Sequence, residues 1–272
     1  MRISVIIPAA GASTRYNAGN PDALGVLGEH RSKLDEDLGG KALLQRTVEL
    51  FNTRDDVYQI IVAGPHDEQS LVAFKSQHAD RLALLGAIVV RGGQDHRWES
   101  VKAALDAVDE TCTHIAIHDA ARPAATHGLI DRVFAAAANH PAVIPGVPVS
   151  DTLKRVHPDP IENAGAVDQV ADILGDQSTT VMYSVEGAID RDRAMAIQTP
   201  QVFERALLLR AFDQDDLSST DDAGLIERLG ERVVVVEGEP TNMKLTNANE
   251  LSLLRAIMGV QGPSKRPIHK RF

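Results

Sequence analysis

Short apolar runs alternate with amphipathic stretches along the first half of the chain. Residues 3–7 form a nearly continuous apolar run that ends in Pro8-Ala9-Ala10-Gly11, the pattern of a fully buried parallel strand breaking into a loop of small residues. Residues 42–51 place Leu43, Leu44, Val48 and Phe51 at helical spacing, and Ile60-Ile61-Val62-Ala63 predicts a second buried strand. A helix over 71–78, a strand over 88–90, a helix over 101–108 and a strand over 114–118 continue the alternation, the last stopping at Asp119.

This βαβα rhythm predicts an α/β fold: a doubly wound, mostly parallel sheet with helices on both faces and a ligand crevice beyond the carboxyl ends of its strands. The loop after residue 7 and Asp119 both fall at such ends. The rhythm breaks after a strand at 142–147. Residues 151–197 mix polar and Gly/Pro-rich stretches with β-like pieces such as 181–185, which we read as an arm projecting from the sheet. Helices over 204–212 and 221–229, a strand over 233–236 and a closing helix over 249–258 complete a single domain spanning 1–258, with the arm at about 150–197. A disordered tail is expected over 259–272; its Lys265, Arg266, Lys270 and Arg271 read as a solvated terminus.

Composition narrows the function. The 272 residues are 43% hydrophobic and 24% charged, so the chain buries a sizeable core. A net charge of -10 argues against an electrostatic grip on nucleic acid or an anionic membrane, both of which need a basic face. An anionic substrate must therefore meet locally placed Arg and Lys. Cys112 is the only cysteine, which excludes an intramolecular disulfide and a cysteine zinc site and fits a reducing, cytoplasmic setting. The opening residues lack signal-peptide character, and no apolar run approaches the roughly 20 residues of a membrane span.

The candidate chemistry starts at the first loop. Pro8 to Gly11, continued by Ala12-Ser13-Thr14-Arg15, puts small residues where backbone packs against a base or phosphates, followed by a cation for triphosphate charge. It is neither a Walker loop nor a dinucleotide GxGxxG. Ser100 stands before the apolar 101–108 run, where a helix N-cap is an equally good reading. Asp221 and Asp222 after Ser219-Thr220 offer a metal pair, but Thr220-Asp221 before an apolar helix reads as readily as an N-terminal cap, and both are left out of the metal set. His96, His114 and His118 lack ligand spacing, and Trp98 alone makes no base-stacking platform.

Six blocks together are similar to the 2-C-methyl-D-erythritol 4-phosphate cytidylyltransferase family, in the family's order: Pro8-Ala9-Ala10-Gly11 with Arg15, Arg97-Trp98-Glu99-Ser100-Val101, His118-Asp119-Ala120-Ala121-Arg122-Pro123, Asp151-Thr152-Leu153-Lys154-Arg155, Thr199-Pro200-Gln201 and Asn242-Met243-Lys244-Leu245-Thr246. The resemblance spans residues 3–258. It implies a Rossmann-like nucleotidyltransferase whose β-arm serves dimerisation. It also implies transfer of CMP from CTP to methylerythritol phosphate with release of pyrophosphate, in the non-mevalonate isoprenoid pathway. Mg²⁺ or another divalent cation sits on the triphosphate.

Carried over residue by residue, the resemblance gives Arg15 and Lys33 as catalytic cations. Pro8, Ala9, Ala10, Gly11, Gly92, Gly93, Ser100 and Asp119 hold the nucleotide, with Asp119 also at the metal. Ala120, Arg122, Thr152, Arg191, Thr199 and Lys244 hold the acceptor, Arg191 reaching from a partner subunit of a homodimer. Lys33 departs from the family's Pro-Lys-Gln context and follows an extra stretch around residues 17–31, read as a loop over the nucleotide; Arg31 and Lys41 are its substitutes. Arg193 competes with Arg191, and the interval from Gly93 to Ser100 is one residue longer than in the family. A ribitol-phosphate or other polyol-phosphate cytidylyltransferase is the neighbouring reading. A non-catalytic nucleotide-binding regulatory protein, prompted by the extra stretch, is the reading from another class.

Overall fold

The computed structural model describes residues 1–18, 32–161 and 181–262. The extra stretch before Lys33, apart from its first two residues, and the tail from 263 on lie outside the described residues. The chain divides into two compact units, Met1–Val147 with Ile197–Phe272, and Pro148–Ala196.

In the larger unit the predicted strands form as β1 (Ile3–Pro8), β2 (Val57–Gly64), β3 (Ala87–Arg91), β4 (His114–Ile117) and β5 (Ala142–Pro148). The smaller unit contributes an antiparallel pair, β6 (Leu153–Val156) with β7 (Val185–Ile189). The strand expected over 181–185 therefore begins only where that segment ends. A short β8 (Met195–Ile197) precedes β9 (Gln201–Glu204) and β10 (Val234–Glu237). The central sheet runs in the order β10-β5-β9-β4-β1-β2-β3. Along this order the pairings are parallel except at β9, which runs antiparallel to both β4 and β5, and β8 pairs with β5 off the path. The sheet is thus mostly parallel, as the βαβα rhythm requires.

Strand β1 shows why apolar runs without alternation predicted this sheet. Ile3, Val5 and Ile7 are fully buried in one cluster with residues of α2 (Leu43–Glu49) and α5 (His127–Ala137), while Ile6 is buried in a second cluster with α4 (Arg97–Leu105) and α6 (Arg205–Phe212). Both faces are covered, so both side-chain parities are apolar. The remaining helices are α1 (Thr14–Asn17), α3 (Glu68–Leu84), α7 (Ala223–Arg228) and α8 (Leu251–Ile257).

Three boundaries differ from the sequence reading for local reasons. Helix α3 starts at Glu68 because Asp67 caps it, accepting from the Ser70 backbone N–H at 2.9 Å. Helix α4 starts at Arg97, so Ser100 lies inside its first turn and is not its N-cap. There the Glu99 carboxylate accepts from the Gln94 and Asp95 N–H groups, at 2.8 and 3.0 Å. The N-cap position of α7 is Asp222, which turns inward and makes no capping bond; Asp221, one residue earlier, accepts from the Gly224 N–H at 3.0 Å.

Order along the sheet fixes where a ligand can enter. The chain moves outward from β1 to β2 and β3, then returns to place β4 on the other side of β1. The loops after β1 and β4 therefore diverge, and the crevice between them is the topological switch point at which α/β sheets hold ligands.

Candidate functional site

At this switch point lies a cavity of about 260 Å³. Its floor is the loop after β1, with Pro8, Ala9, Ala10 and Gly11, and one wall is the loop after β4, with Asp119, Ala120 and Ala121. Among the described residues Arg15, Lys33, Arg97 and Lys244 line it against Asp95 and Asp119, so this acidic chain gathers positive charge here.

A second wall is built by close backbone approach. Gly92 is buried and donates its N–H to the Gly64 carbonyl at 2.9 Å. A Cβ at Gly92 would collide with that carbonyl and lie 2.9 Å from the Ser100 hydroxyl oxygen. At Gly93 it would strike the Glu99 side chain. The Gly93 N–H donates to Ser100 Oγ at 3.0 Å, so this buried hydroxyl holds the glycine turn against α4.

Asp119 is the electrostatic centre. Its backbone N–H donates to Thr199 Oγ1 at 3.0 Å. Lys244 Nζ lies 2.9 Å from Oδ2, Arg97 Nε 3.1 Å from Oδ1 and Arg122 Nε 3.4 Å from Oδ2. Burial alone would push this carboxyl up, but Arg97, Lys244 and Arg122 outweigh it and hold Asp119 far below the usual carboxylate range. Arg97 also donates to Asp222 Oδ2 at 2.6 Å. Asp222 is 1% exposed, its other oxygen has no hydrogen-bond partner, and burial pushes its carboxyl up despite Arg97.

Behind Asp119, the His118 ring is fully buried. Burial draws its pKa down to about 4, keeping it neutral, with Nε2 3.0 Å from the Arg122 carbonyl and Nδ1 3.2 Å from Thr199 Oγ1. It braces both neighbours and packs edge-on against Phe51.

Lys33 enters the crevice from a short helical turn, Lys33–Asp35, and its Nζ donates to the Leu245 carbonyl at 2.9 Å. Burial, then repulsion from Lys244 and Arg15, lowers its pKa to about 8, against the pull of Asp119. A negatively charged ligand beside Lys33 would favour its charged form.

The cavity thus gathers Pro8, Ala9, Ala10, Gly11, Arg15, Lys33, Gly93, Ser100, Asp119, Ala120 and Lys244, with Gly92 immediately behind its wall. Arg122 and Thr199 instead line an adjoining cavity of about 480 Å³ that shares Arg97, Asp119 and Lys244. Arg122 is turned onto protein acceptors, with Nη1 2.6 Å from the Asn242 carbonyl. Thr152 and Arg191 are exposed residues of the smaller unit, as is Arg193. Of the substitutes for Lys33, Lys41 pairs with Glu49 at 2.7 Å away from the cavity lining, and Arg31 lies outside the described residues.

Sequence reasoning assigned no role to Arg97 or Asp222. Arg97 stood inside a recognised block, but its partner is 125 positions away and nothing local points to it.

Among the described residues no group of three or more His, Cys, Asp and Glu is arranged to hold a metal ion, and no helix is long and apolar enough to cross a membrane. Among the described residues the cavity offers a Mg²⁺ the carboxylates of Asp95 and Asp119, the latter already facing three cations, so phosphate oxygens and water would supply most of its ligands.

The family model for 2-C-methyl-D-erythritol 4-phosphate cytidylyltransferase matches residues 3–178 and 161–260. Relatives of that name from Frankia casuarinae and Rhodococcus jostii are each 36% identical, over 97% and 94% of this chain and 84% and 95% of their own. The crystal structure of 2-C-methyl-D-erythritol 4-phosphate cytidylyltransferase from Thermus thermophilus superposes with a TM-score of 0.65 at 29% identity, covering 96% of this chain and all of that one. The 4-diphosphocytidyl-2C-methyl-D-erythritol synthase of Anaerococcus prevotii gives 0.68 at 25% identity over 95% and 98% of the two chains. The chain belongs to the 2-C-methyl-D-erythritol 4-phosphate cytidylyltransferase family.

Proposed function

We propose that the crevice transfers CMP from CTP to 2-C-methyl-D-erythritol 4-phosphate, yielding 4-diphosphocytidyl-2-C-methyl-D-erythritol and pyrophosphate. The observation that carries this reading is the convergence of Arg15, Lys33, Arg97 and Lys244 around Asp119 at the switch point of the sheet.

The acceptor phosphate is already a nucleophile, so the reaction needs no covalent enzyme intermediate. One acceptor phosphate oxygen forms a bond to the α-phosphorus of CTP as the bond from that phosphorus to the pyrophosphate oxygen breaks. The barrier is repulsion between two anions and their alignment, which fixed cations lower. Arg15 and Lys33 brace the triphosphate and the charge developing on the α-phosphate. Gly92, Gly93 and Ser100 close on the cytosine, reading its edge through backbone and hydroxyl groups.

Asp119 takes the ribose side and orients Lys244 and Arg97. Lys244, Ala120 and Thr199 face the acceptor, with Arg122 reinforcing Asp119; the family resemblance adds Thr152 and Arg191 of the partner subunit as acceptor ligands. When bound, Mg²⁺ neutralises the triphosphate and favours departure of pyrophosphate. Exposed Val156, Tyr183, Val185 and Ile189 on the smaller unit support its use as a dimer arm. The single, buried Cys112 suits the cytoplasm.

The test is pyrophosphate release from CTP and Mg²⁺ with methylerythritol phosphate, ribitol phosphate or no acceptor. Release with methylerythritol phosphate alone supports the reading. Preference for ribitol phosphate moves the acceptor, and CTP binding without turnover replaces catalysis with nucleotide sensing.

A further inference from the structure

Ser13 is one of two non-glycine residues with positive φ among those described, at φ 56° and ψ 27°. This left-handed conformation disfavours side chains other than Asn, Asp and Gly. Serine there is worse than glycine for the backbone alone, so its side chain must repay the strain. Ser13 is nearly buried, yet its hydroxyl does not cap α1. Instead Ser13 Oγ accepts the backbone N–H of Lys33 at 3.2 Å, across twenty positions of sequence.

The Lys33 turn is anchored on its other sides. Ser32 Oγ accepts from the Leu34 N–H at 3.3 Å, Leu34 is buried in the core, and buried His78 holds Asp35 Oδ1 at 2.9 Å through Nε2. These contacts fix the turn against the core. The Ser13 contact is different in kind, because it joins the turn to the loop that leads into Arg15.

We propose that Ser13 is a positioning residue that locks the Lys33 turn to the Arg15 loop, so that the two cations meet the triphosphate at a fixed separation. The role rests on the reading of Arg15 and Lys33 as the transfer cations, and acts through them without touching substrate. Its physical basis is preorganisation: a cation that must be placed after substrate binds loses part of its effect on the transition state.

The discriminating variant is Ser13→Gly, which relieves the backbone and removes the hydroxymethyl group together with its contact to Lys33. The proposal expects unchanged or raised thermal stability, a kcat lower by about 10- to 100-fold with KM for CTP changed far less, and little further loss when combined with Lys33→Ala. Ser13→Ala, which keeps the strain and loses the contact, should lower both stability and kcat.

Competitive acetylation with acetic anhydride, followed by mass spectrometry, reads the Lys33 amine without any turnover. The wild-type amine should titrate near 8, and in Ser13→Gly it should move towards the ordinary lysine value of 10.5. Wild-type kcat in Ser13→Gly, or a loss that multiplies fully with that of Lys33→Ala, overturns the proposal. An unmoved Lys33 titration overturns it as well. If Lys33→Ala itself keeps the wild-type rate, the catalytic reading of Lys33 fails, while the acetylation result still decides whether Ser13 holds that turn.

Discussion

Replacing Arg97 with methionine tests the buried charge network on which the site rests. The variant removes the 2.6 Å donor to Asp222 Oδ2 and the 3.1 Å donor to Asp119 Oδ1. Asp119 keeps Lys244 and Arg122, whereas Asp222, 1% exposed and with Oδ1 already unpartnered, is left as a buried carboxylate. Breaking one side of a buried pair costs about 3–5 kcal/mol. Arg97 is itself 29% exposed, which puts the loss near the lower end, ~3 kcal/mol. For a chain near this size that is a fall in Tm of roughly 6–12 °C.

The pH dependence has a definite sign. Burial already raises the Asp222 carboxyl above its unfolded value, so the folded state holds its proton over a wider range and pays for deprotonation as pH rises. Without Arg97 that value rises further, and the deficit is larger at pH 7.5 than at pH 5. Circular dichroism melts at both pH values measure it. The double variant Arg97→Met with Asp222→Leu removes the stranded charge and should recover at least about half the loss. A single variant within about 1 kcal/mol of wild type at pH 7.5, or a double variant no more stable than the single, refutes the reasoning.

Arg15→Ala and Lys33→Ala should each lower kcat by about 10²- to 10³-fold in pyrophosphate release, with smaller effects on CTP affinity by calorimetry. The kcat/KM profile should fall as pH rises through about 8, where free-enzyme Lys33 loses its proton, and the fall in kcat should lie at higher pH because bound triphosphate favours the charged amine. That alkaline fall should vanish in Lys33→Met. Gly93→Ala forces the loop off Glu99 and Ser100, and calorimetry should show CTP bound about tenfold or more weakly. Chelation with EDTA should stop turnover yet leave Tm unchanged, because the ion enters with the triphosphate; a falling Tm would point to a structural metal.

The parallel core was legible because it is buried on both faces. Ile60, Ile61, Val62 and Ala63 are all apolar, as are the other inner runs, and such runs bounded by Pro or Gly have few alternatives. Helix α5 was within reach: Leu129, Ile130, Val133, Phe134 and Ala137 are all buried, and Thr126 caps the helix through a 3.0 Å bond from the Leu129 N–H. Strand β9 was not. Its four residues follow a proline, and it becomes a strand only by lying antiparallel between β4 and β5, partners far away in sequence.

The same distinction runs through the site. Loops such as Pro8 to Gly11 announce themselves locally, through small residues at a strand end. Arg97 and Asp222 meet only because the fold brings the starts of α4 and α7 together, and charge pairing over that separation leaves no periodic trace. Ser13 was read only as one of several small residues, and its role emerges from a backbone angle and one contact to Lys33.

The most direct test of the central claim follows label from CTP carrying ³²P at the α-phosphate, with Mg²⁺ and methylerythritol phosphate, in single turnovers of wild type, Arg15→Ala and Lys33→Ala. The account predicts label in 4-diphosphocytidyl-2-C-methyl-D-erythritol with wild type, and formation slower by about 10²-fold or more in each variant although CTP still binds. Label absent from that product with wild type, or transferred at an undiminished rate by both variants, would contradict it.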